Sequence, residues 1–377
     1  MVIIYNTIWG LLIMNQRINE LTDWLQEKNL DALFITAPDN VFYCSGFLSD
    51  PHERVLALVL FPEAEPFLVC PQMEIEDAKQ AGWSGDILGY SDIEDPWEKI
   101  STCIQNRSVQ IRKLAIEKEH LTVERLEIIQ GRFSHPALFA AEEKLRLLRM
   151  VKTEDELLKI KEACRLADYA VEIGVNEITD GKTEMEILAA IEFEMKKSGV
   201  SQMSFSTMVL TGINAASPHG TPGNTKIKRG DLVLFDLGVV FEGYCSDISR
   251  TVAYGDISDK QQDIFDSVLK AQEAAIRLSK PGISCSEVDQ TARRIIESRG
   301  YGDYFPHRLG HGLGISVHEY PSVTETNPLL LQPGMVFTIE PGIYVPDVAG
   351  VRIEDDIYIT ETGCEILTKF PKTLQIK

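Results

Sequence analysis

The chain has 377 residues, of which 44% are hydrophobic and 25% charged, and its formal net charge at pH 7 is −20. This length exceeds what one hydrophobic core usually supports, so we expect two domains in a globular protein. An acidic surface repels phosphate backbones and anionic lipids, so the net charge argues against binding to nucleic acid or to a membrane surface.

Seven cysteines, an odd number, occur without any Cys-x-x-Cys pair. Disulfides persist mainly in oxidising compartments, so we expect reduced thiols in a cytoplasmic protein. The apolar residues 1–13 lack the basic start and the cleavage site of a signal peptide, and they are too short to cross a bilayer. A more ordinary beginning follows at Met14. We therefore expect residues 1–13 to be an extension outside the fold, with a short leading strand or a hydrophobic contact segment as the alternative.

The first part of the chain alternates strand and helix patterns, which predicts a small α/β domain over residues 14–142. The patterns indicate helices at 16–30, 74–81 and 123–131, and strands at 31–37, 42–47, 55–61 and 67–70.

Residues 143–377 form the second predicted domain. Residues 152–179 predict a long amphipathic helix, in which Thr153 is a good N-cap and three acidic residues follow it. Pairs of helices on either side of antiparallel strands predict an α+β domain. Its further helices are expected at 184–198, 259–279 and 286–298, and its later strands at 335–340 and 350–360.

The stretch from Leu232 to Gly255 predicts a hairpin of two apolar strands joined at Glu242-Gly243. Asp236 and Asp247 differ by an odd number, which places both side chains on one face of such a hairpin. Two carboxylates so close repel each other, so one must hold a proton or a cation must lie between them. The hairpin is therefore the first indication of a metal site.

A second landmark is the run PHRLGHGLGISVHE, which contains His307, His311 and His318 among three glycines. A dinucleotide-binding loop is one alternative, but the glycine spacing is wrong for it. A mononuclear zinc pair of His307 and His311 is another, but it needs a helix, and the glycines argue against one.

Two later strand patterns each carry one carboxylate within apolar residues, Glu340 in VFTIEP and Glu354 in GVRIEDDI. Either one alone could simply face water. Four apolar segments that each deliver an ionisable group are harder to explain without a common site.

In this order, Asp236, Asp247, His311, Glu340 and Glu354 resemble the five metal ligands of the pita-bread metallopeptidases, which include methionine aminopeptidases, Xaa-Pro aminopeptidases and prolidases. The matching motifs are FDLG, SDISRT, GHGLGISVHE, TIEPGIY and VRIEDD. The first domain is similar to the creatinase/prolidase-type domain of the Xaa-Pro enzymes. The run YFPHRLGHGLGISVHEYPS looks most like bacterial prolidases.

This resemblance implies two divalent metal ions bridged by Asp247 and Glu354, with Asp236 completing one ion and His311 with Glu340 the other. Mainly oxygen ligands favour Mn²⁺, with Co²⁺, Zn²⁺ and Fe²⁺ as alternatives. The implied reaction is hydrolysis of the Xaa-Pro bond of a dipeptide by a hydroxide held between the two ions.

Further roles follow from the same resemblance. Glu340 is expected to shuttle the proton, and His219 and His318 to stabilise the oxyanion and orient the leaving proline nitrogen. Arg352 lies on the same strand face as Glu354 and is expected to hold Asp236. The alternatives are that His219 merely packs in its loop and that Arg352 forms an ordinary cross-strand salt bridge.

A dipeptidase must also recognise both ends of its substrate. His307 and Arg308 are the cationic candidates for the proline carboxylate. The charged loop of residues 49–54 is expected to limit substrate length, at the site of the same subunit or of a partner in a homodimer, with a solvated loop as the alternative. Its candidate contacts are Asp50, His52 and Arg54.

Other functions on this fold remain open from the sequence. An Xaa-Pro aminopeptidase would perform the same chemistry on longer peptides. A binding module that has lost catalysis is less favoured because all five ligands are present. Metal-free hydrolysis of a guanidino compound, as in creatinase, ranks last because that relative does not keep the carboxylate set.

Overall fold

The computed structural model describes residues 14–377 in full and residues 2–13 only as the backbone of the first helix. The expectation that residues 1–13 form an extension falls outside the fully described residues. The chain divides into two compact units, Met1–Arg149 and Met150–Lys377. Among the described residues, no helix combines the length and the apolar character needed to span a bilayer.

The N-terminal unit is built on a six-stranded mixed sheet with helices between its strands. Its strands are β1 (Ala32–Ile35), β2 (Ala57–Leu60), β3 (Phe67–Pro71), β4 (Asp86–Tyr90), β5 (Lys113–Ile116) and β6 (Ala137–Ala140), in the order β4-β3-β2-β1-β5-β6. Its helices are α1 (Val2–Glu27), α2 (Pro38–Ser45), α3 (Ile75–Gln80), α4 (Pro96–Asn106), α5 (Val123–Arg132) and α6 (Glu142–Met150). This arrangement confirms the predicted α/β class of the unit.

The strand predicted at 42–47 is wrong, because these residues belong mainly to helix α2. Pro38 occupies the first turn, and Gly46 closes the helix in the left-handed region at φ 72°. The carboxylate of Glu117, from the end of β5, accepts the backbone N–H of Ala37 at 2.8 Å. A charge at the helix start favours the helix over the strand that Phe42 and Tyr43 would prefer by propensity.

The C-terminal unit places two helix pairs against antiparallel strands, as the α+β prediction requires. Its helices are α7 (Glu154–Asn176), α8 (Glu184–Lys197), α9 (Asp259–Leu278) and α10 (Cys285–Ser298). A three-stranded sheet contains β7 (Met208–Thr211), β8 (Asp231–Leu237) and β11 (Ile248–Tyr254). Between β8 and β11 lie the short strands β9 (Val240–Phe241) and β10 (Tyr244–Cys245).

A five-stranded sheet and a separate two-stranded ladder complete this unit. The larger sheet contains β12 (Gly310–Gly312), β13 (Glu319–Val323), β14 (Val336–Ile339), β17 (Asp355–Ile359) and β18 (Cys364–Ile366), and the ladder is formed by β15 (Gly342–Val345) and β16 (Ala349–Arg352). Helices α7 and α8 share one buried apolar cluster with β8 and β11. Helices α9 and α10 share another with β14, β16 and β17.

The hairpin predicted around the two aspartates is confirmed. Glu242 and Gly243 both adopt positive φ, 47° and 81°, as a two-residue hairpin turn requires. Asp236 lies opposite Ser249 in the β8–β11 ladder. Extending that register places Asp247 diagonally across from Asp236 on the same face of the hairpin.

The single strand predicted at 350–360 is wrong, because the chain forms two strands there. Strand β16 pairs with β15, whereas β17 pairs with β14 and β18. The break falls at Ile353-Glu354, where the N–H of Glu354 donates to the carbonyl of Ser249 at 3.1 Å. Glu354 thus lies where the chain passes from one sheet to the other.

Candidate metal centre

Five ionisable side chains, two from one hairpin and three from other segments, lie near one another in the C-terminal unit. His311 Nε2 is 3.1 Å from Glu340 Oε1 and 3.8 Å from Asp247 Oδ2. One ligand atom from each of Asp247, His311 and Glu354 lies within 4.8 Å of the others. Asp236 lies outside that group of three but is the diagonal neighbour of Asp247 on the hairpin.

Burial gives these carboxylates a reason to bind cations. Asp247 is 4% exposed and Glu354 is 1% exposed. Among the described residues, Asp236 Oδ1, Asp247 Oδ1 and Glu354 Oε1 are buried and have no hydrogen-bond partner. A buried carboxylate oxygen without a donor is costly, and a divalent cation would remove that cost. Carboxylate oxygens with one imidazole fit Mn²⁺, Co²⁺, Fe²⁺ or Zn²⁺, so the residues present fit the implied metal ions.

The pKa shifts within the cluster also favour the binding of cations. Burial, followed by the charges of Glu354 and Asp236, raises the pKa of Asp247 well above its ordinary value. Burial and the charges of Glu340 and Asp236 likewise raise the pKa of Glu354. For Glu340, burial is outweighed by the hydrogen bond and charge of His311, which hold its pKa at about 2. The carboxylates therefore repel one another strongly when no cation is present.

One guanidinium orients two of these carboxylates. Arg352 donates from Nη2 to Asp236 Oδ2 and from Nε to Ser249 Oγ, the latter at 2.9 Å. Ser249 Oγ in turn donates to Glu354 Oε2 at 2.7 Å. Arg352 also donates from Nη1 to the hydroxyl of Tyr344 at 2.7 Å. The planar fork of an arginine can hold all three partners at once.

Sequence reasoning missed Thr338, Ser249 and Tyr344, which support the cluster. Thr338 Oγ1 accepts the N–H of His311 at 3.1 Å and donates to Glu340 Oε1 at 3.2 Å. Thr338 lies in β14 and precedes Glu340, the residue just after the strand, by two positions, so both side chains point to the same side. The spacing of two residues and the hydroxyl within an apolar strand are both visible in the sequence, so Thr338 could have been predicted as a neighbour of Glu340.

The two histidines expected to assist catalysis lie in different surroundings. The ring of His318 packs edge-on against that of His311, with 4.2 Å between centroids. Burial, with the charges of His311 and Arg308, lowers the pKa of His318 to about 4, so its ring is neutral at pH 7. His219 is exposed, in a turn that follows the 3₁₀ segment Gly212–Ala216.

His307, expected to be a cation for the substrate carboxylate, lies between two polar neighbours. Its Nδ1 lies 2.8 Å from the carbonyl of Arg308, and its Nε2 lies 3.0 Å from the hydroxyl of Tyr344. Burial lowers the pKa of His307, which disfavours a positive charge on the ring. Arg308, whose Nη1 donates to Ser322 Oγ at 3.3 Å, remains the cation of this pair.

The charged loop of residues 49–54 belongs to the N-terminal unit and forms pairs within it. His52 Nδ1 lies 3.8 Å from Asp50 Oδ2, and both side chains are exposed. Arg54 Nε donates to Asp92 Oδ1 at 2.8 Å. Of the three candidate contact residues, Asp50 and His52 are exposed within their own unit, whereas the side chain of Arg54 is only 28% exposed.

Comparison with known proteins agrees with the fold and with the chemistry of the cluster. The model of metallopeptidase family M24 matches residues 158–361, and the creatinase/prolidase N-terminal domain matches residues 17–151. A Bacillus subtilis relative with a provisional dipeptidase name is 52% identical, over 96% of this chain and 99% of its own length.

Solved structures that include the following two are similar over nearly the whole chain. The prolidase from Pyrococcus horikoshii is 36% identical with a TM-score of 0.89, covering 96% of this chain and 100% of the other. The X-Pro aminopeptidase from Thermotoga maritima is 32% identical with a TM-score of 0.84, covering 93% of this chain and 98% of the other. With its sequence, fold and carboxylate cluster in agreement, this chain belongs to metallopeptidase family M24.

Proposed function

We propose that the protein hydrolyses the Xaa-Pro bond of dipeptides with the help of two bound divalent metal ions, Mn²⁺ being our first choice. The observation that carries this proposal is the group of buried carboxylate oxygens near His311 that have no hydrogen-bond partner in the described part of the chain. The similarity to a solved prolidase supports the choice of substrate.

In this proposal Asp247 and Glu354 would be shared by the two ions, since each has a buried oxygen without a partner among the described residues and belongs to the three-residue group. Asp236 would complete the ligand set of one ion, and His311 with Glu340 that of the other. When bound, such ions supply a water-derived nucleophile at neutral pH and polarise the peptide carbonyl.

The proton transfers fall to Glu340. An Oε atom of its carboxylate would accept the proton of the attacking water and pass it to the leaving proline nitrogen. His318, neutral beside His311, is suited to donate a hydrogen bond to the developing oxyanion. His219, which lies in an exposed turn, is assigned to contact the substrate.

Substrate recognition is assigned to two regions. Arg308 would bind the proline carboxylate, with His307 orienting it through the carbonyl contact at 2.8 Å. The loop of residues 49–54 would restrict the length of the peptide. Deleting its tip, residues 51–53, should raise the rate on Xaa-Pro-Xaa tripeptides relative to dipeptides, and an unchanged ratio would remove the loop from the proposal.

The decisive assay compares Ala-Pro, Ala-Ala and Ala-Pro-Ala as substrates after reconstitution with Mn²⁺, Co²⁺, Zn²⁺ or Fe²⁺. We expect hydrolysis of Ala-Pro at least tenfold faster than of either other peptide, with Mn²⁺ among the best ions. Faster cleavage of Ala-Pro-Ala would favour the aminopeptidase alternative, which the similarity to the Thermotoga maritima enzyme supports. Ala-Ala cleaved as fast as Ala-Pro would contradict proline specificity.

We also infer a cytoplasmic homodimer. All seven cysteines are free thiols, which suits a reducing compartment. Light scattering of the purified chain tests the dimer, and a monomer mass at micromolar concentration would contradict it.

A further inference from the structure

A fully buried carboxylate outside the metal centre fixes the loop that carries His219. Glu184 begins helix α8 and is 0% exposed. Its Oε1 accepts the backbone N–H of Thr211 at 2.8 Å, and its Oε2 accepts that of Gly223 at 2.9 Å. The side-chain amide of Asn214 donates to the same two oxygens at 3.0 and 2.9 Å. All these donors are neutral and come from one segment, residues 211–223.

These bonds join the beginning, the middle and the end of the loop to a single side chain. Thr211 ends β7, Asn214 lies in the 3₁₀ segment, and Gly223 follows the turn that contains His219. The amide of Asn214 also donates to the carbonyl of Thr221 at 3.3 Å. Because one carboxylate accepts bonds from the beginning, the middle and the end of the loop, Glu184 restricts the positions that the loop can adopt.

The other side of the same loop rests on strand β16. A Cβ added to Gly350 would lie 1.6 Å from the carbonyl oxygen of Ala215, so the 3₁₀ segment and the strand are in backbone contact. Strand β16 ends at Arg352, which binds Asp236. The loop is therefore held between Glu184 on one side and the strand that supports the metal centre on the other.

We propose that Glu184 is a positioning residue that acts on catalysis through His219, by fixing the loop of residues 211–223 against β16. This inference rests on the proposed role of His219 in peptide hydrolysis. A carboxylate that served only to start helix α8 would not need to be fully buried, since Thr183 and Glu186 already form a capping box there.

The test is a double-mutant cycle between Glu184→Gln and His219→Ala, with Glu186→Gln as the matched control in the same helix turn. An amide presents a donor where the loop also presents donors, so at least one bond is lost. We expect Glu184→Gln to lower kcat on Ala-Pro about tenfold, and Glu186→Gln to change it less than twofold. Mn²⁺ affinity, measured by calorimetry on the metal-free proteins, should be the same for wild type and Glu184→Gln.

In the His219→Ala background, Glu184→Gln should lower kcat no further, because the group it positions is absent. An equal loss in both backgrounds, or wild-type kcat for Glu184→Gln, would overturn the inference. If Glu184→Gln does not fold, Asn214→Ala removes two of the same bonds from a half-buried site and takes its place in the cycle. If His219→Ala alone leaves kcat unchanged, the role of His219 is overturned. If the metal-loaded wild type does not hydrolyse Ala-Pro, the proposed function is overturned.

Discussion

Replacing Asp247 by Asn should change the stability of the protein in opposite directions with and without metal. Without metal, the Asp247 carboxylate lies within 4.8 Å of a Glu354 ligand atom, and its Oδ1 has no donor among the described residues. With metal, the same group is a proposed ligand of both ions. Asn is nearly isosteric but uncharged, so it removes the repulsion and the ligand together.

The size of the stability change without metal follows from the distance between the two carboxylates. Two unit charges 4.8 Å apart repel by about 3.5 kcal/mol at an effective dielectric constant of 20. Protonation relieves part of this repulsion in the wild type, so we expect the metal-free variant to be more stable by about 1–2 kcal/mol. That corresponds to a rise in melting temperature of roughly 2–8 °C for a domain of this size class. With metal at 100 times its dissociation constant, the wild type gains about 2.7 kcal/mol, and the variant loses most of that gain.

The direction in which the stability of the metal-free protein changes with pH is also defined. Burial and neighbouring carboxylates raise the folded-state pKa of Asp247 above its unfolded value. The metal-free wild type therefore loses stability as the pH rises from the unfolded pKa, about 3.9, through the folded pKa. Asn does not titrate, so the advantage of the variant should grow across that window.

Thermal unfolding after exhaustive chelation and after Mn²⁺ addition measures both effects. Asp355→Asn is the control, because Asp355 is buried nearby but paired with Arg250 and Lys372, whose charges outweigh its burial and hold its pKa at about 2. That variant should be less stable than wild type in both metal states at pH 7. A metal-free Asp247→Asn that is less stable than wild type, yet still gains from Mn²⁺, would refute the electrostatic reasoning.

Three further predictions follow. Glu340→Gln should lower kcat on Ala-Pro by about 10²–10⁴-fold because the proton acceptor is lost, and a loss under tenfold would contradict that role. Arg352→Lys should lower Mn²⁺ affinity or kcat/KM about 10–100-fold, since one ammonium cannot replace the bonds of Arg352 to Asp236, Ser249 and Tyr344. Wild-type values of both quantities would contradict this positioning role. Gly238→Ala should destabilise the protein by about 1–3 kcal/mol in urea, because its Cβ would lie 1.9 Å from a backbone oxygen, and an unchanged midpoint would contradict this.

The hairpin could be predicted from the sequence because its determinants are local. Alternation with a period of two residues and a Glu242-Gly243 turn fix the faces of both strands. The shared face of Asp236 and Asp247 follows by counting. No distant contact is needed for that conclusion, which is why the register of the structure agrees with it.

The features that could not be predicted depend on distant partners. Helix α2 is favoured by the carboxylate of Glu117, which is 80 residues away from Ala37 in the chain. The break at Glu354 follows an unbroken apolar alternation in the sequence, and it is fixed by contacts to Ser249 from another strand. Glu184 is similar in this respect, since in sequence it is one acidic residue among several at a helix start.

The number of Mn²⁺ ions bound per chain tests the central claim most directly. Titration calorimetry on the chelated wild type should give two ions per chain, and on Asp247→Asn it should give at most one, at lower affinity. A wild-type chain that binds no Mn²⁺, or a variant that still binds two ions as tightly as the wild type, would contradict a metal centre built on these carboxylates.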